Sequence, residues 1–92
     1  MAEKKIYNKL GRKIGLIKET GNSKIVYDEL GRKIGEIKSD SLDKEIIKDK
    51  LGRKIGTYDG KRDETKDERG IKIGEGNLAL TLFGFQDVKE IR

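Results

Sequence analysis

Apolar and polar residues follow a pattern that returns about every twenty residues along the chain. The hexapeptide Leu-Gly-Arg-Lys-Ile-Gly occurs without change at 10–15, 30–35 and 51–56, and a degenerate fourth copy follows at 69–74. A unit of this length cannot bury an apolar face alone, so copies must stack side by side to fold. The pattern therefore predicts a tandem-repeat architecture.

Each copy also carries a turn signal. An Asn or Asp stands three residues before the first glycine of the motif, at Asn8, Asp28, Asp49 and Asp67, and the glycines are Gly11, Gly31, Gly52 and Gly70. Asn or Asp opening a type I turn hydrogen-bonds to the following backbone, and glycine in the fourth position accepts the left-handed conformation that completes a bulged hairpin loop. Each copy is therefore predicted to form a β-hairpin.

The segments around these turns predict about eight strands. The incoming strands are expected at 4–7, 24–27, 44–48 and 62–66, and the outgoing strands at 12–18, 32–38, 53–58 and 71–75. Links rich in Gly, Asn, Ser and Asp at 19–23, 39–43 and 59–61 suit tight returns, so the connection is an up-and-down meander. Residues 59–70 are mostly charged, and a loose loop that leaves the fourth hairpin half-formed is the alternative there.

Alternation along the outgoing strands separates isoleucines from glycines. It places Ile14, Ile34, Ile55 and Ile73 on one face and Gly15, Gly35, Gly56 and Gly74 on the other. Glycine weakens a strand and often marks a bulge, a covering aromatic ring or the close approach of another backbone. Because Ile17, Ile37 and Tyr58 share the glycine face, we expect that face to be packed.

The segment 77–85 is the one continuous apolar run and the candidate to cover the glycines. As a helix it has Asn77 as N-cap, and Leu78, Leu82 and Phe85 follow at helical spacing. As a strand it would place its three leucines on one face. Strong helix formers and the Asn cap favour the helix, which Gly84 would end or kink.

These patterns predict one mainly β domain over residues 1–92. It is a single-layer antiparallel β-meander of hairpin repeats at about 4–19, 24–39, 44–58 and 62–76. A C-terminal apolar segment, 77–92, is expected to contribute one helix packed on the sheet. Because 42% of the residues are charged and 33% are hydrophobic, the core must be thin.

Composition removes several kinds of chemistry. The chain has no cysteine and no histidine, so disulfides, thiolate catalysis, hydrolytic triads and the usual zinc sites are excluded. Gly74-x-Gly76-x-x-Ala79 matches a dinucleotide-binding fingerprint, but the crossover unit and acidic partner of that motif are missing. We therefore expect a non-enzymatic protein without a cofactor or metal.

The same composition bears on location. Residues 1–6 carry no apolar signal-peptide core, and no apolar run is long enough to span a bilayer. We expect no membrane partner, and the cytoplasm is the default location.

The net charge of +5 permits attraction to polyanions. The Arg-Lys pairs of the hexapeptide would recur on every second strand, roughly 10 Å apart, and form a cationic grid. Its members are Arg12, Lys13, Arg32, Lys33, Arg53 and Lys54. Alternation sends the Arg and Lys of a pair to opposite faces, and nearby acidic residues weaken the field, so a solvated surface is the competing interpretation. Tyr7, Tyr27 and Tyr58 could stack on bases or cover neighbouring residues.

Leu10, Leu30 and Leu51 occupy a turn position where a polar residue would be ordinary. Two interpretations stay open for them. They could fold back on the sheet, or they could form a small apolar edge for self-association or for a protein partner.

The second copy, Tyr27-Asp28-Glu29-Leu30-Gly31-Arg32, resembles the YD repeats of bacterial Rhs and teneurin-type proteins. The first copy matches in part, Lys48 replaces the tyrosine in the third, and the fourth keeps only Asp67 and Gly70. The resemblance implies a β-hairpin of about twenty residues. It does not imply the role of those large secreted shells, because 92 residues cannot enclose a toxin. The chain is also similar to small uncharacterised bacterial proteins with Gly-Arg-Lys-Ile-Gly repeats and a leucine-rich tail.

The sequence therefore favours a non-enzymatic structural or protein-interaction module. Its partner is unknown, and it could self-associate through the open edges of the sheet. The alternative is a polyanion-binding protein, with nucleic acid as the ligand of the Arg-Lys grid.

Overall fold

The computed structural model describes residues 2–92, which form nine strands and one short helix. The strands are β1 Ala2–Asn8, β2 Lys13–Thr20, β3 Ser23–Asp28, β4 Lys33–Ser41, β5 Lys44–Asp49, β6 Lys54–Asp59, β7 Glu64–Asp67, β8 Lys72–Glu75 and β9 Val88–Ile91. The helix α1, Ala79–Leu82, lies between β8 and β9. This is the mainly β meander with a C-terminal helix that the sequence predicts.

All nine strands belong to one open antiparallel sheet. Its order is β8-β7-β6-β5-β4-β3-β2-β1-β9, so the first eight strands follow one another as in the predicted meander. The ninth strand was not predicted. Val88–Ile91 is short, and it pairs with β1 only because the preceding segment returns the chain to that edge.

The fourth hairpin is complete, so the loose-loop alternative for residues 59–70 is wrong. β7 pairs with β6 and β8, and Thr65 at its centre is fully buried. The charged residues around Thr65 point away from the core: Glu64 forms ion pairs with Lys66 and Lys72, at 3.8 and 3.7 Å. A strand of mostly charged residues is stable here because a single central residue supplies its packing.

The hairpin turns follow the predicted geometry. In the second copy the Asp28 carboxylate accepts hydrogen bonds from the backbone N–H groups of Leu30 and Arg32, both at 2.9 Å. Gly31 donates its N–H to the Asp28 carbonyl at 3.1 Å and has a φ of +83°, where a side chain would be strained. The other three copies repeat this arrangement.

A β-bulge interrupts the alternation in every hairpin. Across the first hairpin Ile6 pairs with Gly15 and Tyr7 pairs with Lys13, so Ile14 has no cross-strand partner. Ile34, Ile55 and Ile73 occupy the same position in the other hairpins. Ile14, Ile34 and Ile55 are half-buried and pack against the core. The isoleucine stripe expected on the opposite face is therefore broken by the bulges.

The glycine face is the packed face of the sheet, as predicted. Each hexapeptide's last glycine lies opposite a β-branched residue that is fully buried: Ile6, Val26, Ile47 and Thr65 face Gly15, Gly35, Gly56 and Gly74. Ile17, Ile37 and Ala79 complete the buried core. The core therefore lies between this face and the C-terminal segment.

The C-terminal segment differs from the predicted helix in length. Helix α1 has four residues, and its N-cap is Leu78. Asn77 instead accepts a hydrogen bond from the Ala79 N–H at 3.1 Å. The helix ends in a Schellman motif, in which Gly84, at φ +93°, donates to Thr81 and Phe85 donates to Leu80. The predicted stop at Gly84 is confirmed, and the prediction of Asn77 as N-cap is wrong.

The C-terminal segment covers the glycines one after another. Leu78 lies against Gly74, Leu82 against Gly56, Phe83 against Gly35 and Phe85 against Gly15. A Cβ atom at Gly15 would lie 2.7 Å from the Phe85 ring and 2.8 Å from the Tyr27 carbonyl oxygen, closer than atoms can pack. Only glycine therefore permits the contact.

This covering requires a curved sheet. Gly74 and Gly15 lie on β8 and β2, six strand spacings apart, which is about 29 Å along the sheet. The chain from Leu78 to Phe85 spans roughly 17 Å at most, since half of its steps are helical. The side chains of Leu78 and Phe85 bridge part of this difference. Nine strands laid flat would also span about 38 Å, whereas the longest dimension of the molecule is 31 Å. The sheet is therefore curved toward the segment that covers it, and its other face is convex.

No helix in the described part of the chain is long and apolar enough to cross a membrane.

Candidate functional site

The convex face of the sheet is not covered by another part of the described chain, and we call it the open face. Cross-strand pairs define it, because directly paired residues point to the same side. One row across the sheet contains Lys5, Leu16, Tyr27 and Lys33. The open face therefore combines lysine, aliphatic and tyrosine side chains.

Lysine is the dominant charged residue of the open face. From β1 to β6 it carries eight lysines at paired positions: Lys5, Lys13, Lys18, Lys33, Lys38, Lys44, Lys48 and Lys54. Within residues 2–92 none of the eight takes part in a salt bridge. The open-face carboxylates at paired positions in these six strands are Glu3, Glu36 and Asp59. The open face therefore has an excess of positive charge.

Lysines on the glycine face have carboxylate partners. Lys4 lies 3.6 Å from Glu19, and Lys24 lies 3.7 Å from Glu45. The two faces of the sheet thus differ in electrostatics as well as in packing. This difference cannot be read from the net charge of the chain.

The arginines of the hexapeptide are engaged at the hairpin turns. The Nε atoms of Arg32 and Arg53 donate to Asp28 and Asp49 at 2.8 and 2.9 Å. Arg12 instead reaches Glu29 of the neighbouring hairpin at 3.4 Å. Each of these guanidinium groups is neutralised locally.

The turn carboxylates are held in their ionised form. The Arg32 backbone N–H lowers the pKa of Asp28 most, and the Arg32 guanidinium and the Leu30 N–H lower it further. The pKa of Asp49 is lowered in the same way by the corresponding groups of its own turn. The Asp-Arg pair therefore belongs to the architecture of the turn.

The six residues of the predicted grid are consequently divided between two places. Arg12, Arg32 and Arg53 lie at the hairpin turns beside carboxylates. Lys13, Lys33 and Lys54 lie on the open face and are exposed. Alternation predicts that the Arg and Lys of a pair part to opposite faces, but strict alternation would put the lysine on the glycine face with the residue two positions on. The β-bulge in each hairpin moves the lysine to the open face instead.

Two of the three tyrosines lie on the open face. Tyr27 is half-buried, and the Lys18 ammonium lies 5.2 Å from its ring centre. Tyr7 is paired with Lys13 and has the Arg92 guanidinium 4.4 Å from its ring centre. These aromatic rings stand among cations.

The third tyrosine lies elsewhere. Tyr58 pairs with Glu45 on the glycine face. Its hydroxyl donates to Asp63 at 2.7 Å, and this hydrogen bond to a carboxylate raises the pKa of Tyr58. Tyr58 is therefore not part of the open face.

The turn leucines point into solvent. Leu10, Leu30 and Leu51 are 90%, 72% and 68% exposed. The interpretation in which they fold back on the sheet is wrong, because the tight turn projects this position outward. The three tips lie at one end of the sheet, roughly 10 Å apart on successive hairpins.

The glycine-rich motif at Gly74 forms a joint between sheet and helix. Leu78 occupies the space beside Gly74, where a nucleotide phosphate would have to approach. Among the residues that the structure describes, no group of three or more acidic side chains is arranged to hold a metal ion.

Fold and open face together define a nine-stranded antiparallel meander with one covered face and one lysine-rich convex face. Comparison with known protein families, with curated proteins and with solved structures found no match.

Proposed function

We propose that the protein is a non-enzymatic binding module whose open face binds nucleic acid. The observation that supports this most is the excess of lysine on the open face, where the eight lysines of β1 to β6 stand against three carboxylates, those of Glu3, Glu36 and Asp59. Within residues 2–92 none of the eight forms an ion pair, whereas Lys4 and Lys24 of the glycine face each form one. An external polyanion would supply the missing negative charge.

The energetics of such binding favour a repeated lysine array. Each lysine that neutralises a phosphate releases condensed counterions, so affinity grows with the number of contacts and falls with salt. Closely spaced lysines also repel one another, and a bound phosphate chain relieves that repulsion. The arginines contribute less, because their guanidinium groups already bond to carboxylates.

The test compares two triple variants with the same loss of charge. In the first, Lys13, Lys33 and Lys54 on the open face are changed to Gln. In the second, the control, the exposed residues Lys9, Lys50 and Lys61 in the turns are changed to Gln. Binding to a fluorescent oligonucleotide is measured by anisotropy at several salt concentrations.

The open-face variant should bind more weakly, and its plot of log affinity against log salt should be shallower by about 2. This value corresponds to three contacts at roughly 0.7 each for a single strand. The control variant should keep the slope of the unchanged protein. Equal effects of the two triples would mean that net charge alone acts, and would overturn the proposal.

A second candidate function is binding of a protein through the turn leucines. The exposure of Leu10, Leu30 and Leu51 favours it, because the hydration of three apolar side chains at one end of a sheet is unfavourable and a partner would remove them from water. Self-association is the simplest form of this function. The rival predictions differ in salt dependence, because apolar contacts are not screened.

Sedimentation of the Leu10, Leu30 and Leu51 to Ser variant tests this second function. If the tips join copies of the chain, the unchanged protein sediments as an oligomer at low and high salt, and the variant as a monomer. If the unchanged protein and the variant are both monomers, self-association through these leucines is ruled out.

A further inference from the structure

We infer that the open face takes single-stranded rather than duplex nucleic acid, with bases stacked on Tyr27 and Tyr7. This inference rests on the proposed function and specifies the ligand of the same face. It depends on the shape of the face and on the position of its tyrosines.

The curvature of the sheet selects a flexible ligand. The open face is convex, because the covering segment is shorter than the arc of strands it covers. A DNA duplex is stiff over about 50 nm, and its major groove admits a two-stranded ribbon but not a sheet of nine strands. A flat lipid surface would likewise touch only the crest. A single strand bends and can follow the curve.

The centre of the face offers a surface for a base. Tyr27 lies beside Leu16 across the strand pair, and the two residues are half-buried, so an apolar surface is exposed around the ring. On its other side Tyr27 pairs with Lys33, and Lys18 lies 5.2 Å from the ring centre. A base stacked there would have its phosphates within reach of ammonium groups.

The first two hairpins repeat this arrangement. Tyr7 pairs with Lys13 as Tyr27 pairs with Lys33, so a Tyr-Lys pair recurs two strands apart, about 10 Å. The Arg92 guanidinium lies 4.4 Å from the Tyr7 ring centre, so a base stacks on Tyr7 by displacing this group, and Tyr27 is the principal stacking position. In the third hairpin Lys48 takes the place of the tyrosine and pairs with Lys54. The face therefore has a part with tyrosines on β1 to β4 and a part with lysines but no tyrosine on β5 and β6.

The experiment measures binding of three probes to the full chain. The probes are a labelled single strand of about twelve nucleotides, the duplex of the same sequence, and vesicles containing anionic lipid. We expect the single strand to bind at least about tenfold more tightly than the duplex, and the vesicles to bind weakly.

The variants Tyr27→Leu and Tyr27→Phe separate stacking from packing. Leucine keeps the apolar contacts but removes the aromatic ring, so affinity for the single strand should fall about tenfold or more, the loss of one stacked base. Phenylalanine keeps the ring and should bind like the unchanged protein. Affinity for the duplex should be the same in all three proteins.

Tyrosine fluorescence of the unchanged protein tests the same inference without depending on whether Tyr27→Leu folds. The chain has three tyrosines and no tryptophan, so base stacking on Tyr7 and Tyr27 should quench much of its intrinsic fluorescence. Quenching by the single strand but not by the duplex would support the inference.

The outcomes distinguish the two proposals. Lysine-dependent binding with equal affinity for duplex and single strand, or without a tyrosine effect, would overturn the inference and leave nucleic-acid binding in place. Tighter lysine-dependent binding to vesicles than to the single strand would overturn both, and so would the absence of lysine-dependent binding to every probe.

Discussion

At the residue scale, each position of the hexapeptide has its own structural role. In the second copy Leu30 is the exposed tip, and Gly31 adopts the left-handed turn conformation. Arg32 bonds to the turn aspartate, and Lys33 lies on the open face. Ile34 is the bulge residue, and Gly35 makes room for Phe83. The six consecutive residues of one repeat thus form the turn, contribute to the open face and make room for the core.

Substituting the covered glycines should show how closely the C-terminal segment approaches. A Cβ atom at Gly35 would collide with the Phe83 ring and the Lys48 carbonyl oxygen, whereas at Gly74 it would meet only the Leu78 Cδ1 atom, at 2.7 Å. Gly35→Ala should therefore lower the free energy of unfolding by about 2–3 kcal/mol, and Gly74→Ala by less than about 1 kcal/mol. Urea denaturation measures both. Equal losses would contradict the difference in packing.

The buried hydroxyl of Thr65 should stabilise the start of the covering segment. It donates to the Gly76 carbonyl at 2.7 Å and accepts from the Leu78 N–H at 2.9 Å. Thr65→Val leaves both backbone groups unpaired and should cost about 1–3 kcal/mol of unfolding free energy. Thr57→Val, a half-buried site on the open face, is the control and should change stability by less than about 0.5 kcal/mol in the same urea titration. A neutral Thr65→Val would show that the segment does not depend on these hydrogen bonds.

At the element scale, the hairpin turn is the most regular part of the molecule. The carboxylates of Asp28, Asp49 and Asp67 each accept two backbone N–H groups, and Asn8 does the same with its amide oxygen. The turn therefore works with a charged or a neutral acceptor. The charged acceptor adds an ion pair with arginine.

These turns predict that stability is lost in acid. Backbone N–H donors lower the pKa values of Asp28, Asp49 and Asp67 in the folded protein. Because the pKa is lower in the folded than in the unfolded protein, these carboxylates stabilise the native state at pH values above their unfolded pKa of about 3.9. This stabilisation is lost as the pH falls from that value to the folded pKa. The urea concentration at which half of the protein is unfolded should therefore decrease as the pH drops below about 4. Changing all three to Asn should flatten this fall while the turns persist, as at Asn8.

The matched control for this prediction changes three exposed carboxylates outside the turn-opening positions. Glu3→Gln, Asp40→Asn and Glu68→Gln remove the same charge and should leave the acid dependence nearly as steep as in the unchanged protein. If both triples flatten the curve equally, general charge repulsion and not the turn geometry governs acid unfolding.

At the scale of the whole molecule, the covering segment joins hairpins that otherwise contact only their neighbours. It touches the last glycine of every hairpin and continues into β9, which pairs with β1. Arrays without such a segment unfold from their ends, because stability is a sum of neighbouring interactions. The covering segment should make the sheet unfold as one unit.

Native-state hydrogen exchange tests this cooperativity. Thr65→Val lies in β7, yet it should lower the protection of amides in β1 and β2 as much as in β7 and β8. Phe85→Ser removes the contact with Gly15. In a protein that carries this change, Thr65→Val should lower the protection of amides in the last hairpin only. Leu42→Ser, at a 97% exposed position, is the control for that second change. A loss confined to β7 and β8 in Thr65→Val alone would contradict the prediction.

The local elements of this protein can be inferred from the order of its residues alone. The spacing of Asp28 and Gly31 specifies a turn, because its hydrogen bonds form within five residues. Repetition of that turn specifies eight strands and their meander, and the glycine stripe with one apolar segment specifies the covered face. The turns and strands form between near neighbours in the chain, and the glycine stripe marks in the sequence itself the face on which another segment can pack closely.

Features that depend on contacts between distant residues follow only from the folded structure. Asn77 had the sequence of an N-cap, but the segment there is shaped by Thr65 and the glycines of four hairpins, and it forms only one helical turn. The strand β9 exists because β1 offers a free edge. The different electrostatic roles of Arg32 and Lys33 likewise follow from the β-bulge at Ile34, which moves Lys33 to the open face, and from the position of the Asp28 carboxylate beside Arg32. Local pattern cannot determine these features, because pairing and curvature bring together residues far apart in the chain.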